Sequence, residues 1–211
     1  MKKIFILAFN VLILAFSVLL YSSCTVTSIN VINRKAPARP ATKVLVVYLD
    51  EGCDLSLFDS DLYTICLRSC FRNPTTVNER SRVESIIAEN LTTPGTKVIK
   101  ASDLFDTVNN SYTYFSRCID SLGIDGILVS GLRSYSHLEH TLVGPHGDTY
   151  AYNTLDGAFV SYLFDSKAIG RPIWTAEVGG KGGRYGSKNG LNRSMAQKVA
   201  AGLKASNYIA H

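Results

Sequence analysis

The stretch Lys43–Leu49, KVLVVYL, decides the fold because it is a short, continuous apolar run rich in β-branched valine. Such a run is typical of a strand that is covered on both faces, so we expect it in the interior of a sheet. Two further strands are predicted downstream, at Lys97–Ala101 (KVIKA) and at Ile124–Leu132 (IDGILVSGL).

Two helical patterns separate these three strands. The first helix begins at the capping-box spacing Thr76–Glu79 and ends before Pro94–Gly95. The second is predicted from about Asn109 to Leu122, ahead of Gly123, which is a typical residue just beyond a helix end. This alternation of strands and helices favours right-handed crossovers and parallel neighbouring strands.

Consecutive strands replace the alternation after Leu132. One hairpin is predicted around the turn Gly144–Gly147 and a second around Asp165–Gly170, and a glycine-rich loop leads to a last helix from Leu191 to about Ser206. The order β-α-β-α-β-β-β-α predicts an α/β (α+β) protein with a single mixed sheet and helices packed on it.

Composition and charge are those of an ordinary folded domain. The 211 residues are 46% hydrophobic and 18% charged, and the formal net charge is +5. The length favours one domain. The Lys and Arg residues are interspersed with acids instead of forming a basic stripe, so we exclude nucleic acid as a partner.

The first residues have the order of an export signal. Lys2 and Lys3 precede the apolar run Ile4–Leu20, and small residues follow. The run has 17 residues and would span about 25 Å as a helix, the short limit for a membrane span. A cleaved signal is therefore preferred to an uncleaved anchor.

Ser22, Ser23 and Cys24, with leucines just upstream, resemble the lipobox of bacterial lipoproteins. The resemblance implies a signal peptide over residues 1–23 and a lipid on Cys24; a plain signal peptide with a coincidental cysteine is the alternative. Residues 24–42, which contain two prolines, are predicted to be the lipidated cysteine and an extended linker, and residues 43–211 a single periplasmic domain. No Asp follows Cys24, which by analogy favours the outer membrane.

The domain carries a second resemblance. KVLVVYL, the segment GIDGILVSGL and the late hairpin GAFVSYLFDSKAIGRPIWTAEV are similar to small bacterial lipoproteins of uncharacterised function. Those share the fold of the curli-secretion lipoprotein periplasmic domain, the penicillin-binding-protein activator lipoproteins and the amino-terminal domain of the Tol translocation protein. Asp165, Ser166, Ile173 and Trp174 fit the hairpin of these families. No secretion pore is expected, because residues 133–152 lack a lipid-facing alternation.

A cluster of imidazole and carboxylate groups is the candidate metal site. His137, Glu139, His140 and His146 occur close together in the sequence and are ligand types that zinc uses. Residues 137 and 140 point to opposite faces of a strand, however, and the helical H-E-x-x-H order is absent. A solvated polar hairpin is therefore the favoured interpretation, and a metal-dependent hydrolase is an alternative.

The glycine-rich loop from residue 179 to residue 190 is the candidate partner-contact surface. It carries Lys181, Arg184, Tyr185 and Lys188, but its order does not match a phosphate-binding P-loop. A basic loop that touches a partner or the anionic cell envelope is one interpretation, and a flexible connector is the other.

Four cysteines remain after Cys24. In an exported protein they can form disulfides, and Cys53 is expected to pair with Cys66 or Cys70 within the irregular segment 50–74. Cys118 lies on the apolar face of the second helix and is expected to be buried and unpaired. A metal site formed by Cys66, Cys70 and a histidine is a remote alternative.

Together these features predict a membrane-tethered lipoprotein that acts as a non-enzymatic binding or assembly accessory of the bacterial cell envelope. Its expected location is the outer membrane, facing the periplasm, and its expected partners are the membrane and an envelope protein. No cofactor is expected. A structural, homo-oligomeric subunit of an envelope assembly is a further alternative.

Overall fold

The computed structural model describes residues 25–37, 39–50, 52–143, 145–146, 148–182 and 187–210. Six strands form one sheet: β1 (Thr25–Arg34), β2 (Lys43–Leu49), β3 (Lys97–Lys100), β4 (Gly126–Val143), β5 (Thr149–Asp165) and β6 (Trp174–Gly182). Four helices pack on it: α1 (60–72), α2 (Val77–Leu91), α3 (Tyr112–Leu122) and α4 (Lys188–Ala205). The middle of α1, Tyr63–Arg68, has π-helical geometry.

The strand order across the sheet is β1-β6-β5-β4-β2-β3. β2 runs parallel to both β3 and β4, and the remaining neighbours are antiparallel. The fold class is confirmed: the protein has one mixed sheet, and the order of strands and helices from β2 onward roughly follows the predicted one, with α1 as an additional helix between β2 and α2.

β2 is buried on both faces, as its composition predicts. Val44, Val46 and Tyr48 belong to the core between the sheet and helices α2 and α4, whereas the alternating residues Leu45 and Val47 belong to the core between the sheet and helices α1 and α3. We call these two sides the α2/α4 face and the α1/α3 face. β2 therefore joins two hydrophobic cores.

The linker prediction is wrong for Thr25–Arg34, which forms the edge strand β1. Ile29 and Val31 pack against the core on the α2/α4 face, while polar residues alternate with them. A register shift between Val31 and Asn33 breaks the alternation, which explains why the sequence shows no sustained period. The following segment is also attached, since Ala41 pairs with Ile209.

The helix boundaries follow the predicted ones, but one cap differs. Ser111 caps α3 by accepting a hydrogen bond from an N–H in its first turn, and Gly123 ends it with φ 61°, a left-handed conformation that favours glycine. The capping box of α2 is absent, because the Thr76 side chain makes no cap bond and its hydroxyl donates to the Asn73 carbonyl. Glu79 instead forms an ion pair with Lys188.

β4 and β5 form a hairpin much longer than the other strand pairs. β4 continues without a break from Gly126 to Val143, where the sequence predicts two separate strands, and a bulge lies between Leu132 and Ser134. Gly157 and Gly180 leave room for Leu191 of α4, because a Cβ atom there would lie 2.7 Å and 2.3 Å from its side chain. Both glycines therefore allow the start of α4 to pack directly on the sheet.

A buried ion pair links α2 to the sheet. Glu84 accepts hydrogen bonds from the backbone N–H groups of Tyr48 (3.1 Å) and Ser102 (2.7 Å), and Arg80 Nε lies 3.9 Å from its Oε1 atom. Arg80 is also buried and donates to two backbone carbonyl groups. Burial raises the pKa of Glu84 to about 7, although these hydrogen bonds and Arg80 oppose the shift.

This raised pKa predicts how stability depends on pH. The folded state binds the Glu84 proton more tightly than the unfolded state, so the contribution of Glu84 is present below about pH 4.5 and is lost as pH rises through about 7. Relative to Glu84→Gln, the wild-type free energy of unfolding should fall by about 2–3 kcal/mol between pH 4 and pH 8. Urea unfolding of both proteins at pH 4 and pH 8 measures this difference in the free energy of unfolding.

Glu89→Gln, an exposed substitution on the same helix, provides the matched control and should follow the wild-type profile. Parallel pH profiles for the wild type and Glu84→Gln would contradict the assignment.

Candidate functional site

An open cleft of about 810 Å³ lies on the α1/α3 face of the sheet. It lies near the sheet edge formed by β1 and its neighbour β6. Its floor comes from β1, β4, β5 and β6, and its walls come from residues 52–57 and from Arg171 and Pro172, which lie between β5 and β6. The main helical contacts of β1 and β6 are with α4, on the opposite face. The cleft is therefore a concave surface in the uncovered half of this face.

Charged groups lie across the floor of the cleft. The bulge in β4 places Arg133 where its guanidinium forms an ion pair with Glu177 on β6. Arg171 contributes a second guanidinium at the wall and forms no ion pair with any described residue. The buried Tyr162 also lines the cleft, and desolvation raises the pKa of its hydroxyl.

Apolar side chains complete the cleft. Ile32 of β1 and Leu57 of the wall are large hydrophobic residues that are 58% and 53% exposed, and Val160 lies on the floor. Exposed apolar residues that surround a few polar groups are typical of a binding surface. The arrangement can bind an extended molecule that offers apolar contacts together with an anionic group for Arg171.

A disulfide fixes one wall. Cys53, which lines the cleft, is bonded to Cys66 in α1. The sequence left open whether Cys53 pairs with Cys66 or with Cys70, and in the structure it pairs with Cys66. Cys70 is buried with a free thiol whose pKa is raised to about 11 by desolvation, and Cys118 is buried and free, as predicted.

The histidine cluster is dispersed along the hairpin. His140 Nε2 lies 2.8 Å from Thr154 Oγ1 and its ring stacks on Tyr152, while His137 contacts the edge of Tyr135. No group of three or more His, Cys, Asp or Glu side chains among the described residues is arranged to hold a metal ion. The structure therefore does not bring His137, Glu139, His140 and His146 together as a metal site.

The candidate basic loop is described only at its two ends. Lys181 is 78% exposed, with its ammonium 3.8 Å from the Asp156 carboxylate. Lys188 is half-buried by its ion pair with Glu79 and lies over the Tyr135 ring, 5.3 Å from the centroid. Arg184 and Tyr185 lie outside the described residues, so the partner-contact loop stays a prediction.

The predicted lipidation site and signal also lie outside the described residues, since the description begins at Thr25. Within the described ranges, none of the helices has the length and apolar character that a membrane span requires.

Sequence reasoning missed the cleft because its residues come from separate parts of the chain. Arg133 and Glu177 are 44 positions apart and meet only because β4, β5 and β6 are neighbours. The one local signal is a charged residue that interrupts an apolar strand pattern at each of these two positions.

Removal of the disulfide should loosen the wall of the cleft. We expect the double variant Cys53→Ser/Cys66→Ser to lose about 2–4 kcal/mol of free energy of unfolding, because the bond restricts the unfolded chain. Urea unfolding with and without a reductant measures this loss. Cys70→Ser is the matched control and should keep the wild-type response to reductant; loss of that response in Cys70→Ser would contradict the pairing.

No family model matches the chain, and no curated protein matches it. Solved structures that resemble it include a PelC variant dodecamer from Paraburkholderia phytofirmans, with 14% identity, coverage of 88% of this chain and 100% of that chain, and a TM-score of 0.47. A second PelC dodecamer from that organism has 15% identity, the same coverage of both chains and a TM-score of 0.46. Lipoprotein GNA1162 from Neisseria meningitidis has 15% identity, coverage of 78% and 99%, and a TM-score of 0.42. These are distant likenesses.

Proposed function

We propose that the protein is a lipid-anchored, non-enzymatic binding accessory of the bacterial cell envelope, held at the periplasmic side of the outer membrane. One observation supports the proposal: Thr25, the residue that directly follows the predicted signal peptide of residues 1–23 and the predicted lipidation site Cys24, is the first residue of strand β1. The lipid-bearing residue would thus be joined directly to the sheet.

This connection determines how a lipid would hold the domain. Thr25 lies opposite Gly182 in the antiparallel pair of β1 and β6, so no flexible linker separates the anchor from the folded structure. Each buried methylene group of an acyl chain contributes about 0.8 kcal/mol, and several chains make attachment effectively permanent. A domain attached in this way stays at the membrane surface, where its partners must be found.

The cleft is the surface proposed to bind a partner. Arg133 is paired with Glu177, so Arg171, which forms no ion pair with any described residue, is the guanidinium proposed to attract an anionic group; Asp54 is the other charged residue of the lining. Ile32 and Leu57 add exposed apolar area to the cleft. The proposed partner is an extended segment of an envelope protein that places a carboxylate between apolar side chains, and the protein needs no reaction step to bind it.

Substitution of the anchoring residue tests the proposal. In cells that process lipoproteins and are supplied with radiolabelled palmitate, the wild type should incorporate the label, because its acyl chains are bonded at the modified cysteine. Cys24→Ser should incorporate none. Cys118→Ser, which changes a buried cysteine, is the matched control and should be labelled as strongly as the wild type. Equal labelling of Cys24→Ser and the wild type would overturn the lipid on Cys24.

Site-specific photo-crosslinking in cells tests the cleft. A photoreactive amino acid at Leu57 should give a discrete adduct with an envelope protein, whereas the same probe at Val108, which is 82% exposed away from the cleft, should give none. Arg171→Glu should reduce the Leu57 adduct several-fold by repelling the carboxylate. An adduct with twice the mass of the chain would identify a second copy as the partner. Equal adducts from Leu57 and Val108 would contradict binding in the cleft.

A further inference from the structure

Strand β1 forms one edge of the sheet. Among the described residues it pairs with β6 alone, so the backbone groups that point away from β6 have no neighbouring strand within the described ranges. The register shift that follows Val31 leaves residues 25–31 in regular register. In the proposed mature chain only Cys24 precedes β1, so no earlier segment of that chain could cover the edge.

The two edges of the sheet differ in how they are protected. β3, the opposite edge strand, has four residues and carries a lysine at each end, Lys97 and Lys100. Short strands and lysines are usual features that prevent an edge from pairing with a further strand. β1 has ten residues, and residues 25–33 include no charged residue and no proline. Of the two edges, β1 is therefore the one suited to accept an added strand.

Helix α4 lies along β1 on the α2/α4 face and brings a lysine to this edge. Thr27 Oγ1 lies 2.9 Å from Ser194 Oγ. Further along α4, Gly202 approaches Ile29 so closely that a Cβ atom on the glycine would lie 3.2 Å from the Ile29 side chain. Lys198 lies between these two α4 residues on the same side of the helix, because residues four apart are neighbours on a helix surface. It is exposed and forms no ion pair with any described residue.

The opposite face of β1 is exposed and leads into the cleft. Ser28, Asn30 and Ile32 are exposed, and Ile32 also lines the cleft. Arg171, whose guanidinium forms no ion pair with any described residue, belongs to the same lining. A strand added beside β1 would therefore have Lys198 near one face and Arg171 near the other.

We propose that the outer edge of β1 binds an extended, acidic segment of the envelope partner as a seventh strand of the sheet. This inference rests on the proposed function, because it takes Cys24 as the first residue of the chain and states how the same partner binds. The backbone N–H and C=O groups of the segment pair with those of β1, and its alternate side chains reach the two faces of the sheet.

The charges beside β1 favour an acidic segment over a neutral or basic one. Carboxylates on the two faces of the added strand would lie near Lys198 and Arg171, and such charge complementarity gives specificity. Neither β1 nor α4 contains an Asp or Glu residue that would repel them. The acid on β6, Glu177, is already paired with Arg133.

Binding of a defined peptide to the purified full-length protein in detergent tests the added strand. The probe is a fluorescently labelled peptide of valine and glutamate, ordered so that each face of the extended chain carries both. Its control is the same peptide with methyl groups on its backbone nitrogens, which cannot donate hydrogen bonds. Lys198→Glu is the test variant, and Lys97→Glu makes the same change in charge at an exposed residue of the opposite edge.

We expect the probe to bind saturably in fluorescence anisotropy and to slow amide hydrogen exchange in residues 25–31, but not in residues 97–100. N-methylation should weaken binding by about tenfold or more, because several backbone hydrogen bonds are lost. Lys198→Glu should weaken it several-fold, whereas Lys97→Glu should bind like the wild type. Equal binding of the two peptides, or equal binding by the two variants, would overturn the added strand.

Three further outcomes separate this inference from the proposed function. No binding of the probe, in a protein whose photoreactive residue at Leu57 forms its adduct, would overturn the added strand and leave binding in the cleft intact. Binding of the probe at β1 in a protein without the Leu57 adduct would support the added strand and overturn the cleft. Attachment to phosphatidylglycerol vesicles that depends on Lys198, without binding of the probe, would overturn the added strand in favour of a lipid surface.

Discussion

The pairing of β1 with β6 attaches the start of the described chain directly to the sheet. Nine residue pairs join the two strands, and Ile29 and Val31 pack against the core beneath α4. Because of this pairing, whatever is bonded to the residue before Thr25 is held within one residue of the folded domain. The proposed anchor and the approach of a partner to the cleft both depend on it.

The interior of the fold was predictable because its patterns are local. The apolar run of β2 indicates burial on both faces, and Gly123 indicates the end of α3; the structure has both features. Such signals depend on composition and spacing over a few residues. They are preserved when the chain folds, since the two cores need apolar side chains at those positions.

The edge of the sheet was not predictable in the same way. β1 is covered on one face only, and the shift after Val31 interrupts its alternation, so its sequence resembles an extended linker. The outer part of β4 is polar and exposed on both faces, and the bulge at residue 133 hides its continuity with the buried part. The cleft depends on contacts between distant residues such as Arg133 and Glu177, and no local pattern encodes that contact.

The proposed function therefore depends on one covalent feature at the start of the mature chain. Mass spectrometry of the amino-terminal peptide, prepared from protein extracted from native membranes, tests it most directly. We expect a peptide that begins at Cys24 and carries a thioether-linked diacylglycerol. A peptide that begins at another residue, or a Cys24 peptide without added lipid mass, would contradict it.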